Sequence, residues 1–199
     1  MEFAIRPATR ADLSAITDTV SAAFFADPVW SWAFPDAERR MEHYARWWPT
    51  SIEAGLRNDT VWVTDGCEAV ATWIPPGVTE MTEQEEARLG PLLHELTGDR
   101  APEVLEGVER FERSHPHDEP HWYLSIVATH PDHRGHGIGV ALIADHLRRV
   151  DEQGLPAYLE SSNPVNFERY RRLGFERRGE FSMPGDGPTV TTMWRGAHS

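Results

Sequence analysis

Residues 134–139 read Arg-Gly-His-Gly-Ile-Gly, and this stretch constrains the fold of the chain more than any other. The apolar run at residues 122–128 precedes it and predicts a buried strand, whereas Ile143, Leu147 and Val150 recur after it at helical spacing. Glycines at a strand-to-helix turn leave backbone N–H groups open to a bulky anion, and a helix N-terminus is partially positive. The stretch therefore predicts a phosphate-binding turn.

Two common phosphate-binding motifs do not fit this turn. A P-loop carries Lys and then Ser or Thr after its last glycine, but Gly139 is followed by Val140 and Ala141. A dinucleotide-binding fingerprint has glycines at its first, third and sixth positions, whereas Gly135, Gly137 and Gly139 occupy the first, third and fifth. On these residues alone, an ordinary glycine-rich helix cap stays an alternative.

Length and charge narrow the class of protein. The 199 residues predict a single domain, 1–199, and 19 basic against 32 acidic residues give a formal charge of −13. This balance argues against nucleic-acid binding and allows attraction of a cationic small molecule, although most of the charge serves solubility. The single Cys67 fits a cytoplasmic location, and no apolar run predicts a membrane segment. A monomer or a homodimer is expected.

Strand and helix patterns alternate along the rest of the chain. Strands are predicted at 3–5, 60–64, 69–74, 121–128, 157–160, 175–178 and 189–194. Helices are predicted from residue 9 or 10 to the Asp27-Pro28 stop, from 35 or 36 to about 56, in two parts between 78 and 113, from 137 to about 153, and in a short segment after Asn163. Asp65-Gly66 predicts a two-residue hairpin turn, Pro49 a kink or break, and Thr82 with Glu85 a capping box.

Two separate patterns together resemble the GNAT N-acetyltransferase superfamily. Its acyl-CoA pyrophosphate loop has Gln or Arg, two residues, Gly, one residue, then Gly or Ala, and Arg134, Gly137 and Gly139 fill those places. Further along the chain, Asn163 precedes Tyr170 by seven residues, and a Gly-Phe pair follows at 174–175. The resemblance implies an α/β (α+β) GNAT fold. That fold is a mixed, mostly antiparallel sheet of about seven strands flanked by helices, here with a helical insertion between the third and fourth strands.

Within the superfamily, the chain is most similar to the puromycin N-acetyltransferase group. Residues 73–76, 120–124 and 156–162 carry this likeness, which is specific in the CoA half and looser between residues 20 and 113. Asn166 departs from the small Ala that is frequent in the superfamily. The resemblance implies direct acetyl transfer, in a ternary complex, from acetyl-CoA to a primary amine of a small molecule. A puromycin-like aminonucleoside or another cationic amine or antibiotic is the expected acceptor.

The resemblance also implies roles for individual residues. Tyr170 is expected to protonate the departing thiolate, and Glu160 is the first candidate for the general base, followed by His121 and Tyr123. The residues expected to bind acetyl-CoA are Val127, Ala128, Thr129, Arg134, Gly135, His136, Gly137, Ile138, Gly139, Val140 and Asn163. The residues expected to contact the acceptor are Trp30, Trp32 and Tyr123.

Two rival functions remain at this point. A non-catalytic acyl-CoA-binding regulator would share the fold, although it would have no need of the proton donor Tyr170. A metal-dependent enzyme could use the histidines of residues 115–121 or of residues 130–136, but neither spacing matches a zinc site, and no metal is expected.

Overall fold

A computed structural model of the protein describes residues 4–197. Its centre is a mixed sheet with the strand order β1-β2-β3-β4-β5-β7-β6. The strands are β1 (Ile5–Pro7), β2 (Val61–Thr64), β3 (Ala69–Ile74), β4 (Trp122–Thr129), β5 (Ala157–Ser161), β6 (Glu176–Ser182) and β7 (Thr189–Arg195). Within residues 4–197, only β4 and β5 pair in parallel. The predicted seven-stranded mixed sheet is confirmed.

Helices cover both faces of the sheet. They are α1 (Leu13–Phe24), α2 (Pro28–Ala33), α3 (Arg40–Arg57), α4 (Glu83–Thr97), α5 (Ala101–Ser114), α6 (Ile138–Glu152) and α7 (Phe167–Arg172). Helices α1 and α3 pack on one face, where Ile16, Val20 and Ile52 are fully buried, and α6 packs on the other through Leu142 and Val150. Two hydrophobic cores therefore enclose the sheet, as the apolar stripes of these helices require.

A β-bulge in β4 changes which face its side chains meet. Thr72 pairs with Ile126 and Trp73 pairs with Leu124, so Ser125 is an extra residue in β4. Side chains alternate along a strand, and one extra residue reverses the alternation. Leu124 consequently packs in the α6 core, whereas Ile126 packs in the core below α1 and α3.

The parallel pairing of β4 with β5 ends at the same bulge. The registered pairs are Trp122 with Ala157, Tyr123 with Tyr158, and Leu124 with Leu159. Beyond Leu124 the two strands separate, which leaves one edge of β4 without a strand neighbour in the described chain. Unpaired strand edges present N–H and C=O groups that another extended chain can use.

Several predicted boundaries differ from the structure. The second long helix begins at Arg40 instead of residue 35 or 36, and Pro49 lies inside it without ending it. The fully buried Tyr44 and Ile52 flank the proline, so packing holds the helix together despite the missing hydrogen bond. Pro28 does not simply stop a helix, because Pro28–Ala33 forms α2 with Asp27 as its N-cap.

The hairpin strands lie where they were predicted, whereas the first strand is shifted. Asp65 and Gly66 are the central residues of a turn that the Cys67 N–H closes on the Thr64 carbonyl (2.8 Å). Four residues, 65–68, nevertheless connect β2 to β3 instead of two, and Cys67 adopts a positive φ of 58°. β1 includes Pro7, which an edge strand tolerates, and the predicted strand residue Phe3 lies outside the described residues.

Helices α4 and α5 form the predicted insertion between β3 and β4. The capping box is present, since the Thr82 hydroxyl accepts the Glu85 N–H (3.3 Å) and the Glu85 carboxylate accepts the Thr82 N–H (2.8 Å). Leu93, Leu96 and Val104 join the core below α1 and α3. The insertion therefore packs on the same face of the sheet as α1 and α3.

Candidate active site

A cavity of about 190 Å³ lies where β4 and β5 separate. The end of α1 and the middle of α3, together with α2, α7 and the helical insertion, complete its walls. Its aromatic lining comprises Phe24, Trp30, Trp47, Trp48, Phe111 and Tyr123. Three carboxylates, Asp27, Glu80 and Glu160, line the same cavity, as does Tyr170. An aromatic wall with several carboxylates suits an organic cation.

The Glu160 side chain is only 3% exposed. Burial raises its pKa to about 7, although the hydroxyls of Tyr123 and Tyr158 favour the ionised form and Glu80 opposes it. Glu160 Oε2 is buried and has no hydrogen-bond partner among residues 4–197. A buried acceptor oxygen that faces a cavity can receive an N–H from a bound amine, and a pKa near neutrality suits a general base.

Tyr170 also lines this cavity, on α7, and is 7% exposed. Burial and the nearby negative charge of Asp27 raise its pKa to about 12, so its hydroxyl stays protonated at neutral pH. Its ring packs edge-on against Phe175 at 6.3 Å, which connects the two residues of the predicted C-terminal pattern. Tyr170 can therefore donate a proton into the cavity.

Asp27 and Glu80 are site residues that the sequence did not indicate. Asp27 Oδ1 caps α2 by accepting the Val29 N–H (3.0 Å), and its Oδ2 accepts the Ser162 hydroxyl (2.6 Å). Burial raises the pKa of Asp27. In the sequence Asp27 looked like a helix stop, and no local pattern predicts that it meets Ser162, 135 residues later.

Glu80 approaches the cavity from the loop before α4. Its Oε1 accepts the hydroxyl of Ser125, the bulged residue of β4, at 2.6 Å. Burial raises the pKa of Glu80, and the charge of Glu112 adds to that effect. This hydrogen bond thus links the segment before the helical insertion to β4 at the point where the pairing of β4 with β5 ends, and it places the Glu80 carboxylate at that point.

The glycine turn has the predicted strand-to-helix geometry. A 3-10 turn, Pro131–His133, follows β4, and Gly135 and Gly137 have positive φ values of 86° and 75°. Gly137 is the N-cap of α6 and supplies no side-chain cap, and a Cβ on Gly135 or Gly137 would meet no atom within 4 Å, so a ligand can approach the first turn of the helix. A Cβ on Gly139 would come within 2.7 Å of Thr129 Oγ1, so glycine there allows α6 to approach β4 closely. This turn fits a bulky anion.

Arg134 and His136 are exposed beside the turn. The Arg134 guanidinium donates to the Ala23 carbonyl at the end of α1 (2.8 Å), and His136 Nδ1 lies 3.3 Å from the His133 carbonyl. Both groups can therefore add positive charge near an anion held by residues 135–140.

Val127, Ala128 and Thr129 lie on the separated part of β4, and they connect the cavity to the glycine turn. Their opposite edge pairs with β3, from Ala71 to Ala69. Val127 also lines the cavity, so the strand edge leads from the turn to Glu160 and Tyr170. An extended chain could bind along this edge as an added strand.

The structure does not bring every predicted site residue to the cavity. Trp30 lines it and packs against Trp48 at 4.5 Å, but Trp32 lies elsewhere, with its ring next to Gly107 and the Arg100 guanidinium. Both belong to a helix, where positions two apart point in directions about 200° different. Asn163 does not line the cavity either; its Oδ1 caps the following turn by accepting the Val165 N–H (3.2 Å). Asn166 lies there instead.

The sequence profile of the Acetyltransferase (GNAT) family matches residues 71–175, more than half of the chain. The chain belongs to this family. The match spans the separated strands, the glycine turn, Glu160 and Tyr170, and members of the GNAT family use acetyl-CoA as the acetyl donor. The protein is therefore an acyltransferase by family.

Solved structures support the GNAT fold over the whole chain. An acetyltransferase from Corynebacterium glutamicum, described as histone acetyltransferase HPA2 and related acetyltransferase, is 26% identical over 100% of this chain and 98% of its own, with a TM-score of 0.71. A polyamine N-acetyltransferase from Drosophila melanogaster is 13% identical (97% and 99% covered, TM-score 0.63). Arylalkylamine N-acetyltransferase 2 from Aedes aegypti is 11% identical (98% and 99% covered, TM-score 0.65).

Residues 4–197 lack two kinds of feature. None of the helices there combines the length and the apolar character needed to cross a bilayer. No group of three or more His, Cys, Asp or Glu side chains in that range has an arrangement that could hold a metal ion, and this includes the two histidine segments.

Proposed function

We propose that the protein transfers an acetyl group from acetyl-CoA to the primary amine of a cationic small molecule that carries an aromatic or other apolar part. One observation carries this proposal: Glu160, whose buried Oε2 has no hydrogen-bond partner within residues 4–197, and the protonated Tyr170 line the same cavity at the separation of β4 from β5. A proton acceptor and a proton donor on one cavity are what amide formation from a thioester requires.

Acetyl-CoA supplies the activated acetyl group, and the described residues fit it. The open N–H groups from Gly135 to Val140 would hold its pyrophosphate, with charge from Arg134 and His136. The edge of β4 from Val127 to Thr129 would pair with the pantetheine amides, and a backbone N–H near Val127 would polarise the thioester carbonyl. Asn163 would act by orienting the turn before α7.

The acceptor nitrogen arrives as an ammonium and must lose two protons in all. Glu160 takes the first, which frees the lone pair for attack on the carbonyl carbon. Carbon–nitrogen bond formation and carbon–sulfur bond cleavage follow, and Tyr170 gives its proton to the departing thiolate. The second nitrogen proton restores Tyr170. The net products are the amide, CoA thiol and one proton for the solvent.

The lining of the cavity supports an acceptor with both charge and apolar surface. Trp30, Trp47 and Trp48 offer flat faces, and Asp27 and Glu80 offer negative charge at the walls. The similar structures include enzymes named for polyamines and arylalkylamines, and the sequence resembles the puromycin N-acetyltransferase group. The acceptors to test are accordingly arylalkylamines, aliphatic diamines and puromycin. Acetylation of puromycin would imply that the protein confers resistance to an aminonucleoside.

The deciding experiment measures CoA thiol release over this panel of amines with the parent protein and the Tyr170→Phe variant. We expect turnover with at least one amine class and a loss of roughly 10²-fold in kcat in the variant, with unchanged CoA affinity. Unchanged turnover in the variant would remove the role of Tyr170. Tight acetyl-CoA binding without turnover on any amine would indicate a non-catalytic regulator instead.

A further inference from the structure

The histidine segment that follows α5 lies against the site and has no role in the chemistry described so far. His115, the first residue after α5, places its Nδ1 3.9 Å from Glu160 Oε1. Its Nε2 lies 3.1 Å from Nε2 of His121. Nδ1 of His121 in turn lies 2.7 Å from the carbonyl oxygen of the exposed Glu119. These groups form a row from the buried carboxylate to the exposed Glu119, and two of its three steps are at hydrogen-bond distance.

The row fixes which ring nitrogens carry hydrogen. A carbonyl oxygen only accepts, so His121 carries its hydrogen on Nδ1 and its Nε2 is a lone-pair acceptor. His115 must then donate from Nε2, which leaves its Nδ1 as the lone-pair acceptor facing Glu160. Every hydrogen in the row points away from the cavity.

The surroundings keep both rings in place and neutral. His115 packs edge-on against Tyr123 (4.8 Å) and Tyr158 (5.1 Å), and His121 packs against Trp194 (5.1 Å). Burial lowers the pKa of His115 to about 4 and also lowers that of His121. The titratable and charged groups facing the two rings are His117, Glu119, Tyr123, Tyr158, Glu160 and Arg178.

We propose that His115 and His121 form a proton relay that carries the amine proton from Glu160 to the solvent. Glu160 passes its proton to Nδ1 of His115 as the Nε2 proton of that ring moves to Nε2 of His121, and the Nδ1 proton of His121 leaves to water beside Glu119. The first transfer requires an approach of about 1 Å or one bridging water. Both rings return to their starting tautomers when Nδ1 of His121 takes a proton from water, its Nε2 proton passes back to Nε2 of His115, and the Nδ1 proton of the partly exposed His115 leaves to water. This reset moves no net proton.

The relay rests on the proposed acetyl transfer, and it removes the one proton that each turnover must release. Glu160 must be ionised again before the next ammonium is deprotonated, and its side chain is only 3% exposed. His115 and His121 lead from this carboxylate to the backbone of the exposed Glu119, so the row connects Glu160 to water. The two histidines do not contact the reacting atoms and act through Glu160.

The test compares His115→Gln and His121→Gln with a matched control, His117→Gln. His117 is exposed and packs near His115 (5.7 Å), but it lies outside the row. With a reactive amine, the two relay variants should lose about 10-fold in kcat and regain most of it with added imidazole, while KM for acetyl-CoA stays constant. The control should behave as the parent does, and an altered fold would not respond to imidazole.

A second measurement does not depend on turnover. The ¹⁵N spectrum of histidine-labelled protein at neutral pH should show His121 protonated on Nδ1 and His115 on Nε2. The opposite tautomer at either ring overturns the relay. Relay variants with parental kcat, or with a reduced kcat that imidazole does not raise, also overturn it and leave acetyl transfer standing. A parent protein without turnover on any amine overturns acetyl transfer, and the relay with it.

Discussion

At the scale of single residues, Glu160 carries the strongest constraint on chemistry. Its carboxylate must be ionised to accept a proton, yet burial raises its pKa to about 7. The value of kcat/KM for the amine should therefore rise as the pH passes through 7, and Glu160→Gln should remove that rise and lower kcat/KM by roughly 10²-fold. A pH profile of thiol release tests this, with the exposed Glu152→Gln as control. A parental profile in Glu160→Gln would contradict the role.

The same residue should cost the protein stability at high pH. The folded-state pKa of Glu160 lies above its ordinary value of 4.5, so its contribution to stability is fully present below pH 4.5 and is lost as pH rises through 7. At pH 8 we expect Glu160→Gln to unfold with a free energy up to about 3 kcal/mol higher than the parent. Urea unfolding at pH 5 and pH 8 measures this, and equal differences at the two pH values would contradict it.

His146 gives a pH dependence of the opposite sign. It is 4% exposed, stacks on Trp73 at 4.5 Å, and has no partner for either ring nitrogen within residues 4–197. Burial lowers its pKa from 6.5 to about 4, so the parent loses stability as pH falls from 6.5 towards 4.

Replacing His146 with Leu should remove this loss. We expect a gain of about 2 kcal/mol in the free energy of unfolding at pH 5 beyond any change at pH 8. Chemical denaturation at the two pH values measures it. The exposed His94, at the end of α4, provides the control His94→Leu. A difference that does not vary with pH would show that His146 titrates normally.

At the scale of elements, β4 and the turn after it determine where acetyl-CoA would bind. The bulge at Ser125 reverses the side-chain alternation, and the parallel pairing with β5 ends there. The strand edge beyond the bulge leads directly to the open N–H groups of α6. The bulge thus divides β4 into a part that pairs with β5 and a part whose edge is available to a ligand.

Two glycines on α6 offer a matched test of this turn. Gly137 and Gly154 flank the two ends of the helix, both have positive φ (75° and 62°), and neither would bring a new Cβ near another atom. Alanine at either position should therefore lower the free energy of unfolding by a similar amount, about 1 kcal/mol. Only Gly137→Ala should weaken acetyl-CoA binding, as calorimetric titration would show. Equal affinities in the two variants would argue against the turn as the pyrophosphate site.

At the scale of the whole molecule, the formal charge of −13 should act on the approach of a cationic acceptor. Salt screens such attraction, and the effect grows with the charge of the acceptor. Between about 0.02 and 0.5 M NaCl, we expect kcat/KM to fall more for a diamine than for a monoamine of similar size. Steady-state thiol release measures both, and identical salt dependence would show that the global charge does not steer the acceptor.

Much of the fold follows from local patterns. Periodic apolar positions, the capping box at Thr82 and the glycines at residues 135–139 predicted the strands, the insertion and the turn, because hydrophobic spacing and backbone freedom are local properties. The ends of several helices and strands differ from the predicted ones. Pro49 lies within α3 because packing on both sides of it outweighs one missing hydrogen bond.

The sequence by itself determined the family resemblance, the glycine turn, and Tyr170 and Glu160 as candidates for the chemistry. Tertiary structure alone placed Asp27 and Glu80 at the cavity, turned Trp32 away from it, and aligned His115 and His121 behind Glu160. The physical reason is the distance along the chain between the residues that interact. Turns and helix caps depend on neighbours along the chain, whereas burial, pKa and hydrogen-bonded rows depend on segments far apart in sequence that meet only in the folded protein.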